Sequence, residues 1–334
     1  MSSSIWTLPQ GVSEILPSEA AKLESLRREI LDELQARSFN LVFPPMIEFL
    51  DNLLQGAGSE LTTQTFKVPD YDSHKTLGIR ADMTPQIAQI DAHRLANNTI
   101  NKLCYIGTVL RTKPMTIGGS RELLQIGAEI FGDTSINADK SIIDAMLKVH
   151  KLSFGNHGNE VTVSLGHVDI FSALIEALNL NEQQAAKIFD ALLRKSTPDL
   201  RTLNASADID LSAFIALSKA RGGASVINEF KNNHTVTALI ANNSDIAKRI
   251  DQAMTQLTRL SDYIGDQDKV NLHIDLSELH GYRYHTGLTF QTFIKGEGRA
   301  IAKGGRYHGF SESTETPRVA TGFSADLKLL ASKA

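Results

Sequence analysis

YIGTVLRTKPMTIGGSRELLQIGAEIFG, residues 105–132, is the stretch whose reading decides the fold. It reads as strand, glycine-containing loop, strand. In the second strand Leu124, Ile126, Ala128 and Ile130 alternate onto one face, and Gln125, Gly127 and Glu129 fall on the other, because strand side chains alternate sides. Burying an amide and a carboxylate costs several kcal/mol unless each finds a partner. Gly127 removes a side chain between them and lets a ligand approach the sheet. Arg111 ends the first strand and is expected beside them if the two strands pair. A pocket floor with one cation, one anion and one amide suits a zwitterion such as a free amino acid. A solvated sheet face with an ordinary ion pair is the alternative.

Outward from that hairpin, the N-terminal side reads as an amphipathic helix over 18–37. Ser18 is its expected N-cap, and Leu23, Leu26, Ile30 and Leu34 repeat at helical spacing. A short strand at 40–43 stops at Pro44 and Pro45, and a helix is expected over 46–54. Strands at 63–68 and 75–80 flank the turn Pro69-Asp70-Tyr71-Asp72. Thr84 is the expected cap of the next helix, with Pro85 at its first position. On the C-terminal side Asn137 is the expected cap of a helix, and 160–166 reads as a strand. Residues 168–263 are dominated by helical patterns at 169–178, 182–194, 210–220 and 244–263, broken at Gly222-Gly223, with no clear strand. A strand at 269–277, a hairpin of 286–294 with 299–303 and a last helix over 323–333 complete the chain. Strands joined mostly by hairpins argue for an α+β fold, an antiparallel sheet flanked by helices. The expected domains are a core of 1–167 with 264–334, and a mostly helical insertion over 168–263.

Composition bounds the function. The chain has 334 residues and a net charge of −4, with a pI of about 6.2, so it carries no overall electrostatic footprint for nucleic acid. Its one cysteine, Cys104, lies in an apolar strand pattern and reads as a small buried hydrophobe. With no intramolecular disulfide possible, a reducing cytoplasm is expected. The N-terminus lacks the pattern of a signal peptide, and no apolar stretch reaches the length of a membrane span. No strand–GxGxxG–helix unit or Walker-type phosphate loop is present.

Three further groups join the central hairpin as candidates. Arg80-Ala81-Asp82-Met83-Thr84 leads from a strand end into a helix N-terminus, with Asp82 an acceptor for an ammonium; a plain capping segment is the alternative. His280-Gly281-Tyr282-Arg283-Tyr284-His285-Thr286 crowds aromatic and ionisable residues beside a glycine, as a pocket loop or a surface turn. Gly304-Gly305-Arg306-Tyr307-His308-Gly309 offers bare backbone to a ligand. The spacings of His280, His285 and His308 match no zinc template, so no metal is expected.

At these residues the chain is similar, from residue 7 to 330, to the catalytic domain of histidyl-tRNA synthetase, a class II synthetase. Pro45 stands at the proline of the family's first motif, which forms the dimer interface; the resemblance therefore implies a homodimer through Phe43, Pro45 and Ile47. Arg111 through Gly132 matches the second motif and Ala320 to Leu330 the third. Asp82 and Thr84 lie where the synthetase holds the amino group of histidine. Gln125 and Glu129 match the residues that read the imidazole side, and Tyr307 matches a pocket wall. The resemblance thus implies a histidine-like ligand at Asp82, Thr84, Arg111, Gln125, Glu129, Tyr282, His285 and Tyr307.

The departures fall on the other side of that site. His280 replaces an arginine that assists adenylate formation, Lys113 replaces a glutamate that holds the adenine end of ATP, and Leu329 replaces an arginine that clamps phosphate. Losing one preorganised donor typically costs about 2.7–4 kcal/mol, or about 10²–10³ in rate. Only Ala331 to Ala334 follow the third motif, so no anticodon-binding domain and no tRNA partner are expected. Asp82 is one methylene shorter than the family's glutamate, and His285 replaces a tyrosine. This combination resembles the regulatory subunits of ATP phosphoribosyltransferase, which are synthetase paralogues; Leu165-Gly166-His167 and Tyr284-His285-Thr286-Gly287 fit them better than the synthetase. That resemblance implies no catalytic residue and no cofactor. It also implies activation of a short-form catalytic partner at the first step of histidine biosynthesis, a hetero-octamer, and feedback by L-histidine. A true or degenerate synthetase, or a stand-alone histidine-binding protein, is the alternative.

Overall fold

The computed structural model describes residues 7–55, 59–95, 99–114, 119–155, 161–206, 209–267, 269–279, 281–282, 284–309 and 318–333. The chain forms two compact units, Met1–Gly158 with Gly309–Ala334, and Asn159–His308. Residues 168–263, expected as a separate insertion, fall inside the second.

The first unit opens with α1 (Pro17–Ala36), β1 (Asn40–Leu41), β2 (Ile47–Phe49), α2 (Leu50–Leu53), α3 (Ser59–Gln64), β3 (Phe66–Pro69), β4 (Thr76–Ile79) and α4 (Thr84–Ile90). It continues with a π-helical turn over Asp91–Leu95, β5 (Asn101–Leu110), β6 (Glu122–Phe131) and α5 (Ile136–Phe154). The second unit holds β7 (Val161–His167), α6 (Val168–Ala177), α7 (Glu182–Leu193), α8 (Thr197–Ser206), α9 (Ser212–Lys219), β8 (Arg221–Gly222), α10 (Ser225–Lys231), α11 (His234–Ile240) and α12 (Ser244–Gly265). Its last strands are β9 (Val270–Asp275), β10 (His285–Ile294) and β11 (Ala302–His308). The chain then returns to the first unit with β12 (Val319–Asp326) and α13 (Leu327–Ser332).

In the first unit the large sheet runs β1-β5-β6-β12. The central hairpin forms as the sequence predicts, with Gly107 opposite Gln125 and Leu103 opposite Glu129. Ile126, Ala128 and Ile130 are buried on one face, against which α5 and α13 pack. β12 pairs with β6 in continuous antiparallel register, Gly322 opposite Glu129. A second sheet, β2-β4-β3, is also antiparallel. In the second unit the order is β11-β10-β7-β9-β8, and α12 packs on α6, β7 and β9. The fold is α+β with mostly antiparallel pairing; β1 with β5 and β7 with β9 are parallel.

Several boundaries differ from the sequence reading, each for a local reason. The expected helix over 46–54 is a strand and then a short helix: Ile47 and Phe49 alternate and pair with Ile79 and Leu77. The last helix starts only at Leu327, because residues 319–326 complete the sheet beside β6 and Asp326 caps the helix by accepting from the Lys328 amide. The hairpin partner of β10 lies at 302–308, not 299–303, so Gly304 and Gly305 are strand residues. A two-residue strand, Arg221–Gly222, interrupts the helical stretch and pairs with β9; α8, α10 and α11 were not expected. The caps also move. α1 begins at Pro17 with no side-chain cap, since proline at the first position lacks only an N–H that is unpaired there anyway. α5 follows Ser135 rather than Asn137, after Asp133 accepts from the Ser135 amide.

One buried ion pair ties the first unit together across a long sequence separation. Arg318 Nε lies 2.8 Å from Asp91 Oδ2. Asn101 donates to the other carboxylate oxygen at 2.6 Å, and Arg318 Nη2 donates to the Thr99 carbonyl at 2.8 Å. Asp91 is nearly solvent-free, so deleting its cation leaves a buried charge. Arg318→Met is expected to destabilise the fold by about 3 kcal/mol, the lower end of the range for a broken buried pair because Arg318 keeps some exposure. Urea unfolding of the two proteins checks this; a change under 1 kcal/mol (about a surface-pair effect) would contradict it.

Candidate functional site

The polar face of β6 is buried as completely as its apolar face. Glu129 is 1 % exposed and Gln125 5 %. Both have hydrogen-bond partners within the first unit. Gln125 Oε1 accepts from the Met83 amide at 2.9 Å, and Gln125 Nε2 donates to Asp82 Oδ1 at 2.9 Å. Glu129 Oε1 accepts from the Tyr105 hydroxyl at 3.0 Å. Gln125, Asp82, Thr84, Tyr105 and Glu129 thus form one hydrogen-bonded network.

Two glycines make room for it. Tyr105 faces Gly127 in register, and a Cβ at 127 would overlap the tyrosine hydroxyl. Gly322 faces Glu129, and a Cβ at 322 would overlap its carboxylate. Gly127 therefore accommodates a tyrosine from the neighbouring strand, a role its place in the alternation did not reveal. Tyr105 was missed because it reads as one more apolar strand residue; the signal was a tyrosine across the hairpin from a lone glycine.

The segment Arg80–Thr84 closes over Gln125. Thr84 is not the cap: it is the first residue of α4, and its amide donates to Asp82 Oδ1 at 2.8 Å. Asp82 therefore caps, which places a carboxylate at a helix start. The Thr84 hydroxyl instead lies 2.9 Å from the Tyr105 hydroxyl. Arg80 is buried and donates from Nη1 to the Pro44 carbonyl at 2.7 Å and from Nε to the Thr108 carbonyl at 2.8 Å. Gln86 adds a bond to the Pro45 carbonyl at 2.8 Å.

Arg111 does not join Glu129. It follows β5, eight residues beyond Leu103, the partner of Glu129, a spacing of roughly 26 Å along a strand. Its Nε donates to the Ala81 carbonyl at 3.2 Å, so it supports the Asp82 segment. Of the replaced positions, Lys113 is exposed, Leu329 is buried in α13, and His280 lies outside the described residues. Phe43 and Ile47 are 72 % and 53 % exposed. Cys104 is buried, and burial pushes its thiol up to about 11.

The second unit carries the other expected ligand residues. Tyr282 is packed edge-on to Phe171 at 5.0 Å and near Phe189 at 5.5 Å, with its hydroxyl 3.2 Å from Ser172. It anchors its turn on α6 and α7. The His285 ring lies over bare backbone at Gly281 and Gly305, and its Nδ1 is 3.2 Å from the Arg306 carbonyl. Tyr307 stacks on Tyr284 at 4.7 Å. His167 ends β7 with Nε2 at 3.1 Å from Gln256 Oε1. Lys195 reaches Asp275 at 2.8 Å and pins the α7–α8 connection to the end of β9.

Comparison with known proteins agrees with this architecture. A family model described as histidyl-tRNA synthetase matches residues 11–330. An ATP phosphoribosyltransferase regulatory subunit of Marinomonas sp. (strain MWYL1) is 42 % identical over 97 % of this chain and 81 % of its own length. A crystal structure described as an ATP phosphoribosyltransferase regulatory subunit/histidyl-tRNA synthetase from Bacillus halodurans superposes with a TM-score of 0.82 at 25 % identity, over 99 % of this chain and 84 % of that one. The ATP phosphoribosyl transferase (HisG:HisZ) complex from Thermotoga maritima shares the fold, with a TM-score of 0.68 at 16 % identity over 90 % and 96 %.

Burial lowers the His167 imidazole to about 4 against the pull of its Gln256 bond and of Asp169, with Arg306 adding to the effect of burial; burial lowers His150 to about 3. Both rings are neutral in the fold and take up protons on unfolding below their usual pKa of 6.5. Stability is therefore full above that pH and falls as pH drops toward 4, by up to about 3 kcal/mol for His167. His167→Gln is expected to reduce the steepness of this acid limb by about one proton. Chemical unfolding at half-unit steps from pH 7 to 4 measures it, and an unchanged slope would contradict it.

Proposed function

We propose that this chain, which belongs to the family of ATP phosphoribosyltransferase regulatory subunits built on the histidyl-tRNA synthetase catalytic fold, activates a short-form catalytic partner and makes it responsive to L-histidine. One observation carries the reading. The side of the site that would read an amino acid keeps a complete polar network, Asp82, Thr84, Gln125 and Glu129, while Lys113 and Leu329 stand at positions that serve ATP in the synthetase. A chain of this kind recognises the amino acid without activating it, so we infer that it is no aminoacylating enzyme. The complex of an ATP phosphoribosyl transferase with the same fold supports assembly with a catalytic subunit. Glu129 and Gln125 form the recognition floor in this reading, with Arg111 acting through Ala81. Tyr282, His285 and Tyr307 are offered as ligand residues on the family resemblance alone. Among the described residues no helix is long and apolar enough to cross a membrane.

Glu129→Gln tests the reading, with thermal melting, L-histidine titration and the partner's phosphoribosyl-transfer rate measured side by side. Glutamine keeps an oxygen for the Tyr105 hydroxyl, so the melt is expected to hold. Histidine affinity is expected to fall by about ten- to hundredfold, the loss of one charged hydrogen bond. A large drop in melting temperature with an unchanged histidine response would overturn it. Histidine-dependent ATP–pyrophosphate exchange above background would favour the synthetase alternative, and failure to stimulate the partner the stand-alone binding protein.

The same reading includes a homodimer through Phe43, Pro45 and Ile47. The small sheet supports it. Ile47, Ile79 and Phe66 lie side by side on one face, as do Phe49, Leu77 and Val68, because paired residues share a face. The opposite face is covered at Gly78 by Leu50 and Leu53. An apolar sheet face and an exposed phenylalanine four residues before it in the chain have the composition of an interface core. Light scattering at micromolar concentration is expected to give the mass of two chains, and of one chain for Phe43→Glu. A wild-type monomer would overturn this assignment.

A further inference from the structure

We propose that Tyr105 is a positioning residue that joins the two ends of the ligand site through an ordered chain of hydroxyl protons, so that the site selects a ligand carrying both an ammonium and a ring N–H over one carrying either alone. The proposal rests on the reading of Glu129 and Gln125 as the recognition floor.

The order follows from counting protons. Tyr105 is fully buried, and its hydroxyl touches both Thr84 Oγ1, at 2.9 Å, and Glu129 Oε1, at 3.0 Å. A phenol has one proton. An ionised carboxylate only accepts, so that proton goes to Glu129. The phenol stays protonated because burial, and then the negative charges of Glu129 and Asp82, push its ionisation well above the usual range. Its oxygen is then an acceptor toward Thr84, and the threonine hydroxyl must donate to it. The direction Thr84 to Tyr105 to Glu129 is fixed by the charge at its end.

That direction decides what each end can bind. The Thr84 hydroxyl has given its only proton away, and its amide is given to Asp82. What Thr84 Oγ1 offers a ligand is a lone pair, beside the Asp82 carboxylate; the matching group is an ammonium. Glu129 lies with its carboxylate against the bare backbone of Gly322; in the reading of the recognition floor it is the acceptor for a ring N–H. Hydrogen bonds in such a chain polarise one another in a low-dielectric interior. Neutralising Glu129 therefore weakens Thr84 as an acceptor although the two residues meet only through the phenol. Gly127 is the space in which the relay sits: any larger residue there displaces the tyrosine.

A mutant cycle on the full-length chain tests this, using Thr84→Val and Glu129→Gln alone and together, with L-histidine affinity measured by calorimetry. With Tyr105 in place the double variant is expected to bind about three- to tenfold better than the product of the two single losses. In the Tyr105→Phe background the losses are expected to multiply. Thr84→Ser, which keeps the hydroxyl, is expected to restore the wild-type response to Glu129→Gln, and this comparison stands even if Tyr105→Phe does not fold. Losses that multiply with Tyr105 present, or a coupling undiminished by Tyr105→Phe, would overturn the relay. Absence of L-histidine binding by the wild-type chain would instead defeat the reading of the site. The same cycle read by thermal melting then decides the relay: coupling between positions 84 and 129 that depends on Tyr105 supports it, and additive melting shifts overturn it.

Discussion

A carboxylate in the middle of a buried strand is the constraint on which the rest of the first unit depends. Glu129 sits where both faces of β6 are closed to solvent, and an ionised group there is tolerated only when it is hydrogen-bonded. The fold supplies a tyrosine from β5 on one side and bare backbone from β12 on the other. Each needs its own glycine, at 127 and 322. The strand that looks like an ordinary alternating element is therefore specified by its neighbours on both sides, and a shift of one register step would drive backbone or ring into the carboxylate.

A second buried ionic group performs a different task. The Arg80 guanidinium makes its described bonds to backbone carbonyls, those of Pro44, Pro45 and Thr108. Proline has no N–H, so a Pro-Pro segment enters no regular ladder and its carbonyls need donors from elsewhere. Arg80 and Gln86 supply them. A planar fork with several donors suits this work where a lysine ammonium would not. The same arginine starts the segment that carries Asp82 and Thr84, so the Phe43–Ile47 stretch, exposed apart from Pro44, and that segment share one anchor. Gly107 leaves room for it: a Cβ there would collide with the guanidinium.

The proposed function separates recognition from chemistry. Reading an amino acid needs a few fixed donors and acceptors, and these persist in a buried network. Activating it also needs groups that hold ATP, and the family resemblance puts Lys113 and Leu329 at two such positions. Leu329 belongs to the packed face of α13 and is part of the core. A scaffold relieved of stabilising developing charge keeps its fold, because fold and site chemistry are carried by different side chains.

What the sequence determined by itself were the features with a strict period or a motif. Alternation in residues 124–130 defined β6, helical spacing defined α1 and α12, and the family resemblance singled out Asp82, Thr84, Gln125 and Glu129 as candidates. What tertiary structure alone decided was which atoms those residues touch. Gln125 spends its amide on Met83 and Asp82, Thr84 yields its cap to Asp82, and Arg111 lies far along the hairpin from Glu129. Tyr105 and Gly322 were not legible at all, since their roles exist only across strand pairs. The last strand was hidden for the same reason: residues 319–326 form a strand because β6 offers them a partner edge, and no short-range pattern announces a partner 193 residues away in the chain (Glu129 to Gly322). Periodicity records how one segment meets a surface. Hydrogen-bond partners depend on register between segments, and register is fixed only when the whole sheet closes.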